Sequence, residues 1–426
     1  MKEELLHFIW QHRLFRKEGL RTVDGESVEV LTPGRPNEHD GPDFLGAQVR
    51  IGGVVWAGAV EVHLRSSDWY AHGHYEDPRY EAVVLHVVTE HDEEVRRSNG
   101  TVVPEVVLTW DETLTGRFEA LMQSRSWVAC AGDLHRLDPF VVRHALGRIL
   151  VERLEYHAAR ILSDLEETSR DWEEVLYRHL ARGFGLKANA QPFYLTARSL
   201  PLRYLARHRD NLLQVEALLF GQAGMLEERI FGDEYYERLK IEYRHLRKKF
   251  SLEPVAEHMW QRMRMRPSAF PAVRLAEFAR FVHREENIFS HIIANPRLKE
   301  LEPLFHVTAD GYWEEHFDLN KPSKKQRKSF GKEAFYLVLI NIVIPFYFIY
   351  GRINDLPAYR ERALEMLEEL PAERNAVVRR WAEAGITADN AFYSQALIHL
   401  KNEYCNRRRC LECPLGQRLL MRQGEM

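Results

Sequence analysis

Asp43, Glu61 and His63, in the segments NEHDGPDF and VEVHL, place two carboxylates and an imidazole in stretches that otherwise read as strand. Two buried carboxylates repel and hold on to protons unless a cation lies between them. Their chemistry is therefore that of a divalent-metal site, with the imidazole as a third ligand or as a carrier of protons. Alternate side chains share a strand face, so Glu61 and His63 point one way while Val60, Val62 and Leu64 point the other. A hairpin centred on Gly52–Gly53 brings Asp43 opposite this segment. An unbroken register pairs Asp43 with Val62 and turns its carboxylate to the wrong face. A one-residue bulge at Gly46 or Gly58, or an irregular strand start at Gly41–Pro42, corrects this.

More imidazole follows. His63, His72, His74 and His86, with Asp68 or Asp77, offer enough nitrogen and carboxylate for Zn²⁺ or Mn²⁺, which accept nitrogen more readily than Mg²⁺ does. The plainer alternative makes Ser67–Asp68 and Asp77–Pro78 local caps and turns. His86, set in VVLHVV, is expected to be buried with a definite partner and is a candidate ligand.

Near the other end, Cys405, Cys410 and Cys413 stand in C-x4-C-x2-C-P, and Cys130 is the remaining cysteine. Four cysteines in a chain of 426 residues do not make a secreted disulfide framework. Their spacing suits Zn²⁺ or a [4Fe–4S] cluster, with Cys130 as the fourth ligand. Two basic tracts are candidates for phosphate contact: Arg262, Arg264 and Arg266 in WQRMRMRP, and Lys324, Lys325 and Arg327 in KPSKKQRKSFGK. The net charge of −4 carries no global signature of a nucleic-acid binder, so such a role rests on these local patches.

The elements that must position these residues change character along the chain. Apolar residues at helical spacing, Leu5, Leu6, Ile9, Trp10 and Leu14, open it with an amphipathic helix. From Glu26 to about Trp110 the signals are those of a mostly antiparallel sheet. After Cys130 the period is helical almost throughout. The expected class is α+β, with a sheet domain over 1–125 and a large all-α domain over 126–426 that carries the cysteine motif. The N-terminus lacks the apolar core and cleavage site of a signal peptide, so a cytoplasmic protein is expected. The one long apolar run, 334–350, contains Asn341 and Pro345 and reads as a buried helix, with no membrane partner.

Two resemblances follow from these residues. GPDF, followed 18 residues after Asp43 by Glu-x-His on the next strand, with an acidic helix ahead of both, resembles the PD-(D/E)XK nuclease core. That resemblance implies Asp43 and Glu61 as Mg²⁺ or Mn²⁺ ligands, His63 in the position of the family's lysine, and Glu4 as an auxiliary helix acid. The chain is also similar, through GPDF, VEVHLRSSDW, RMRPSAFPAVRLAEFA and CLECP, to a bacterial domain-of-unknown-function family, number 2851. The second family brings no activity with it; the nuclease resemblance, with the basic tracts, implies a metal-dependent nuclease acting on DNA or RNA. Two alternatives stay open: a catalytically degenerate nucleic-acid-binding protein, and a Zn²⁺ hydrolase built on His63, His72, His74 and His86.

Overall fold

The structure, a computed structural model, describes residues 3–226, 231–263, 265–266, 269–295 and 297–421. It is an α+β protein with a curled sheet near the N-terminus and a helical C-terminal region. The chain forms two compact units. The first comprises Met1–Ala145, Arg380–Ile386 and Ile398–Met426; the second comprises Leu146–Arg379 and Thr387–Leu397. This corrects the expected division at 125/126, because the cysteine segment belongs to the sheet-bearing unit and not to the helical one.

The first unit opens with α1 (Glu3–Gln11), whose Leu5, Leu6, Phe8, Ile9 and Trp10 are buried. Its sheet comprises β1 (Val28–Thr32), β2 (Arg35–Pro36), β3 (Phe44–Ile51), β4 (Val54–Val62), β5 (Val83–Val88) and β6 (Glu105–Val107). The order is β1-β3-β4-β5-β6, with β2 also on β3. The pairings up to β4 are antiparallel, as the sequence suggests, but β4, β5 and β6 run parallel. A parallel pair needs a long crossover, and residues 63–82 supply it. Within it Trp69 and Tyr80 are buried with Ala59 and Val83, so the crossover covers one face of the sheet. On the other face Val60, Val62, Leu85, Val87 and Val106 are fully buried. A strand covered on both sides has no solvent face to receive its polar residues. Each polar side chain it carries must find a partner inside the protein.

The register decides where Asp43 lies. Ala47 pairs with Gly58, but Phe44 pairs with Val60, so one extra residue sits in β3 between them. Gly46, at φ +69°, takes up that residue in the left-handed region, where a side chain is strained. The bulge places Asp43 level with Glu61. The loop before it is fixed by Asn37, whose backbone N–H donates to the Asp43 carbonyl at 2.8 Å and whose side chain donates to the Pro42 carbonyl at 3.0 Å.

The second unit is built largely of helices, among them Trp172–Phe184, Leu212–Gln222, Glu234–Phe250 and Pro271–Arg284, with short strand pairs around Thr308–Ser329. The apolar run expected to be buried forms a helix over Lys332–Ile353. Most of its apolar window is inside the protein. A π-helical turn over Leu339–Val343 precedes Pro345, which has no N–H to continue an ordinary ladder.

Candidate metal centre

Parallel pairing lines up a polar row across the sheet. Glu61 on β4 pairs with His86 on β5, and His86 pairs with Glu105 on β6. His63 lies two residues beyond Glu61 on the same face. All four are nearly inaccessible, at 3, 0, 2 and 1 % exposure for Glu61, His86, Glu105 and His63. A buried polar row of this kind stands only if its members satisfy one another.

They do so in a directed chain. Glu105 Oε2 lies 2.8 Å from His86 Nδ1, and His86 Nε2 lies 2.9 Å from His63 Nδ1. Burial pushes the Glu105 carboxyl up, but His86 and the Ser66 hydroxyl, which donates at 2.6 Å, outweigh it and hold its pKa below the ordinary value. Glu105 is therefore an acceptor and fixes the proton on His86 Nδ1. His86 Nε2 then accepts from His63 Nδ1. His63 is left with a lone pair at Nε2, and burial, reinforced by the imidazoles of His86, His74 and His72, holds its pKa down at about 2.

That Nε2 faces the crossover. His72 Nδ1 lies 3.1 Å away, and one ring nitrogen from each of His63, His72 and His74 falls within 4.8 Å of the others. The His74 ring stacks on Tyr80 at 3.9 Å and lies parallel to His63 at 5.2 Å. Glu61 Oε1 lies beside two of the three, 3.1 Å from His74 Nε2 and 3.5 Å from His63 Nε2. Its other oxygen accepts from the Asp43 N–H at 3.0 Å, while Asp43 Oδ2 accepts from the Val62 N–H at 3.0 Å. Burial raises the Glu61 pKa, and His74 offsets only part of that rise.

The donor set fits a divalent cation. Zinc about 2.0–2.1 Å from each nitrogen places tetrahedral ligands roughly 3.3 Å apart, close to the His63–His72 and His74–Glu61 separations. His74 Nε2 is buried and meets no acceptor in hydrogen-bond geometry, although Glu61 Oε1 is near. Three nitrogens and one oxygen favour Zn²⁺ or Mn²⁺ over Mg²⁺.

A family described as "Protein of unknown function (DUF2851)" matches residues 3–376. The chain belongs to that family. No curated protein and no solved structure matches it. The stretch matched to DUF2851 holds every residue of the polar row and the imidazole group, as well as Cys130.

Within this DUF2851 chain the sequence-predicted residues fall into three sets. Asp43, Glu61 and His63 come together, joined by His72 and His74. His86 is placed differently from a ligand: both its ring nitrogens are engaged, so it stands behind His63 as a support. Glu4 is exposed. The phase of α1 instead turns Glu3 and His7, one helical turn apart, toward Asp43, with His7 Nε2 3.3 Å from Asp43 Oδ2. Burial pulls the His7 pKa down, but Asp43 and Glu3 reverse this and leave it raised. Asp68 and Asp77 serve local structure: Asp68 closes a turn by accepting from the Arg65 N–H, and Asp77 caps a short helix by accepting from the Arg79 N–H. Glu105 and His7 were not singled out in the sequence. The signal for Glu105 was a lone acid in the apolar strand VVPEVV, and for His7 its i+4 spacing from Glu3.

The cysteines and basic tracts are placed as follows. Cys130, Cys405, Cys410 and Cys413 all belong to the first unit, and none forms a disulfide. The basic tracts belong to the second. There Arg262 pairs with Glu257 at 2.7 Å, and Lys325 lies 3.7 Å from Glu314 and 3.5 Å from Glu315. Arg327 donates to the Thr308 hydroxyl at 3.4 Å. Lys324 and Arg266 are exposed, and Arg264 lies outside the described residues.

Proposed function

We propose that this chain is a metal-dependent hydrolase of phosphodiester bonds, with nucleic acid as its substrate class, and that its metal is held by His63, His72, His74 and Glu61. The observation that carries the reading is the cluster of three imidazole nitrogens, two of them beside Glu61, whose own neighbour is a second carboxylate. The substrate class is supported by the order of elements around it. A helix, an antiparallel set of three strands with an acid at the start of the middle one and Glu-x-His ending the third, and a crossover to a parallel strand is the arrangement in which PD-(D/E)XK nucleases keep their site. The exposed Arg266, Lys324 and Arg327 of the second unit agree with a polyanionic substrate.

Bound there, a divalent ion would supply Lewis acidity and positive charge for the phosphate oxygens. The chain's own residues do the rest. The side chains of His7 and Asp43 are 34 and 26 % exposed, against 2 and 5 % for His63 and Glu61. The site is therefore open on the Asp43 side, and it is open also at His72, which is exposed on the crossover. His7, with its raised pKa, holds a proton at Nε2 where substrate enters, in place to deliver it to a leaving oxygen. Glu61 links Asp43 to the imidazoles, and His63 stays neutral with its lone pair forward. Trp69 and Tyr80 are buried in the crossover, behind His74.

The test is cleavage of single- and double-stranded DNA and RNA, and of a small aryl phosphodiester, with Zn²⁺, Mn²⁺ or Mg²⁺ supplied separately. Metal-dependent cleavage that disappears in His74→Ala supports the reading. Metal binding without cleavage of any phosphodiester makes this a binding protein instead. His63→Lys separates the two ligand sets: it destroys a nitrogen-rich site, whereas a Mg²⁺ site made of Asp43 and Glu61 alone keeps or gains activity.

A further inference from the structure

We propose that Cys130, Cys405, Cys410 and Cys413 ligate a second metal centre, zinc or iron–sulfur, which fastens the returning C-terminal segment into the first unit. The four residues come from distant parts of the chain, yet the fold gathers them. Trp127 and Leu121, ahead of Cys130, accept hydrogen bonds from Lys401 and Arg408, which flank Cys405.

The segments that carry them are clamped together. Lys401 Nζ donates to the Trp127 carbonyl at 2.6 Å and sits 4.9 Å over the Trp127 ring, and Arg408 donates to the Leu121 carbonyl at 3.2 Å. A π-helical turn over Leu400–Cys405 changes the helical phase just where Cys405 emerges. The chain then reverses at Arg408, φ +56°, and Gly416 packs so closely on the Cys410 carbonyl that an added Cβ would lie 2.2 Å from it.

Packing alone does not account for the set. Cys130 and Cys413 are buried, as free cysteines commonly are, but Cys405 and Cys410 are only half-buried and serve no apolar core. Four thiolates around zinc or a cluster leave a net negative centre, and Lys401 beside Cys405 and Arg408 beside Cys410 complement it.

The experiment is elemental and acid-labile-sulfide analysis of anaerobically purified full-length protein, with visible absorption to separate the arms: iron with sulfide and a broad visible band, or zinc without either. To remove the imidazole centre from the count, the measurement is repeated in His72→Ala/His74→Ala. The thiol-bound metal should remain in that variant and be lost in Cys410→Ser and, from a different segment, in Cys130→Ser. Unfolding of a variant is controlled in the wild type, where a mercurial thiol reagent should release that same metal in step with modification of the four cysteines. A folded wild-type chain without thiol-bound metal, or metal retained in full in Cys130→Ser, overturns the four-cysteine centre and leaves the imidazole centre untouched.

Discussion

Asp164 in the helical unit and Glu61 on the sheet are both buried carboxylates beside imidazole, and they differ in what is left over. Asp164 Oδ2 meets His179 Nε2 at 2.8 Å and Oδ1 accepts from the Tyr194 hydroxyl at 2.6 Å. Burial drives its pKa up, but these two partners overcome it and hold the group below its ordinary value. Glu61, beside His63 and His74, keeps a raised pKa because its burial outweighs the bond from His74. An acid beside a histidine is thus no signature of a site. What sets Glu61 apart is the crowd of imidazoles next to it, His63, His72 and His74, with more ring nitrogens than one carboxylate can engage.

Four measurements break or sharpen this contrast. The largest effect is expected at the sheet: Glu61→Ala or His74→Ala should reduce metal-dependent cleavage by at least about 10³-fold, since each removes a ligand, with the far-ultraviolet circular dichroism unchanged. Equal loss in Asp164→Asn would erase the distinction. In the helical unit the expected outcome of Asp164→Asn is instead a loss of roughly 1.5–3 kcal/mol of stability, as for a buried hydrogen bond to a charged group, read from urea midpoints, with metal affinity intact.

Next comes an acid that keeps its proton. Burial raises Glu216 from 4.5 to about 7. Between those values the unfolded chain ionises while the folded chain stays protonated, so stability falls as pH rises, by about 1.4 kcal/mol per unit. The wild type should lose roughly 3 kcal/mol from this group between pH 4.5 and 7, and Glu216→Gln should remove that slope; parallel profiles for the two proteins would contradict it. The smallest effect is assigned to Glu105→Gln. It frees the proton of His86 to change nitrogen and so loosens His63, and metal affinity should drop about 10–100-fold, measured by competition with a chromophoric chelator.

Much of the sheet site was legible because its cues are local. Alternation fixed the shared face of Glu61 and His63, and Gly46 was one of few places where the hairpin could shift register. The rest depends on pairings between distant segments. Nothing within TVVPEVV says that this strand lies parallel beside β5, so Glu105 was not legible as a partner of His86, and His86 read as a ligand. Glu3 and Glu4 are adjacent at the start of a short helix, and only the packed phase of α1 selects between them. The acids that engage Arg262 and Lys325 are invisible to a reading of the basic tracts alone.

The first unit is interrupted in sequence, and this sets an order of events during synthesis. The sheet and α1 leave the ribosome early, whereas Arg380–Ile386 and Ile398–Met426 follow only after the bulk of the second unit has been made. At roughly 5–20 residues per second, the nascent sheet waits on the order of tens of seconds for the strand of chain that carries Lys401 and Arg408. Throughout that interval Trp127 and the turn around Cys130 have no cover from Lys401 or Arg408, which makes them natural ground for a chaperone. Ending the chain at residue 379 would therefore not trim a tail from the helical unit; it would leave the first-made unit unfinished.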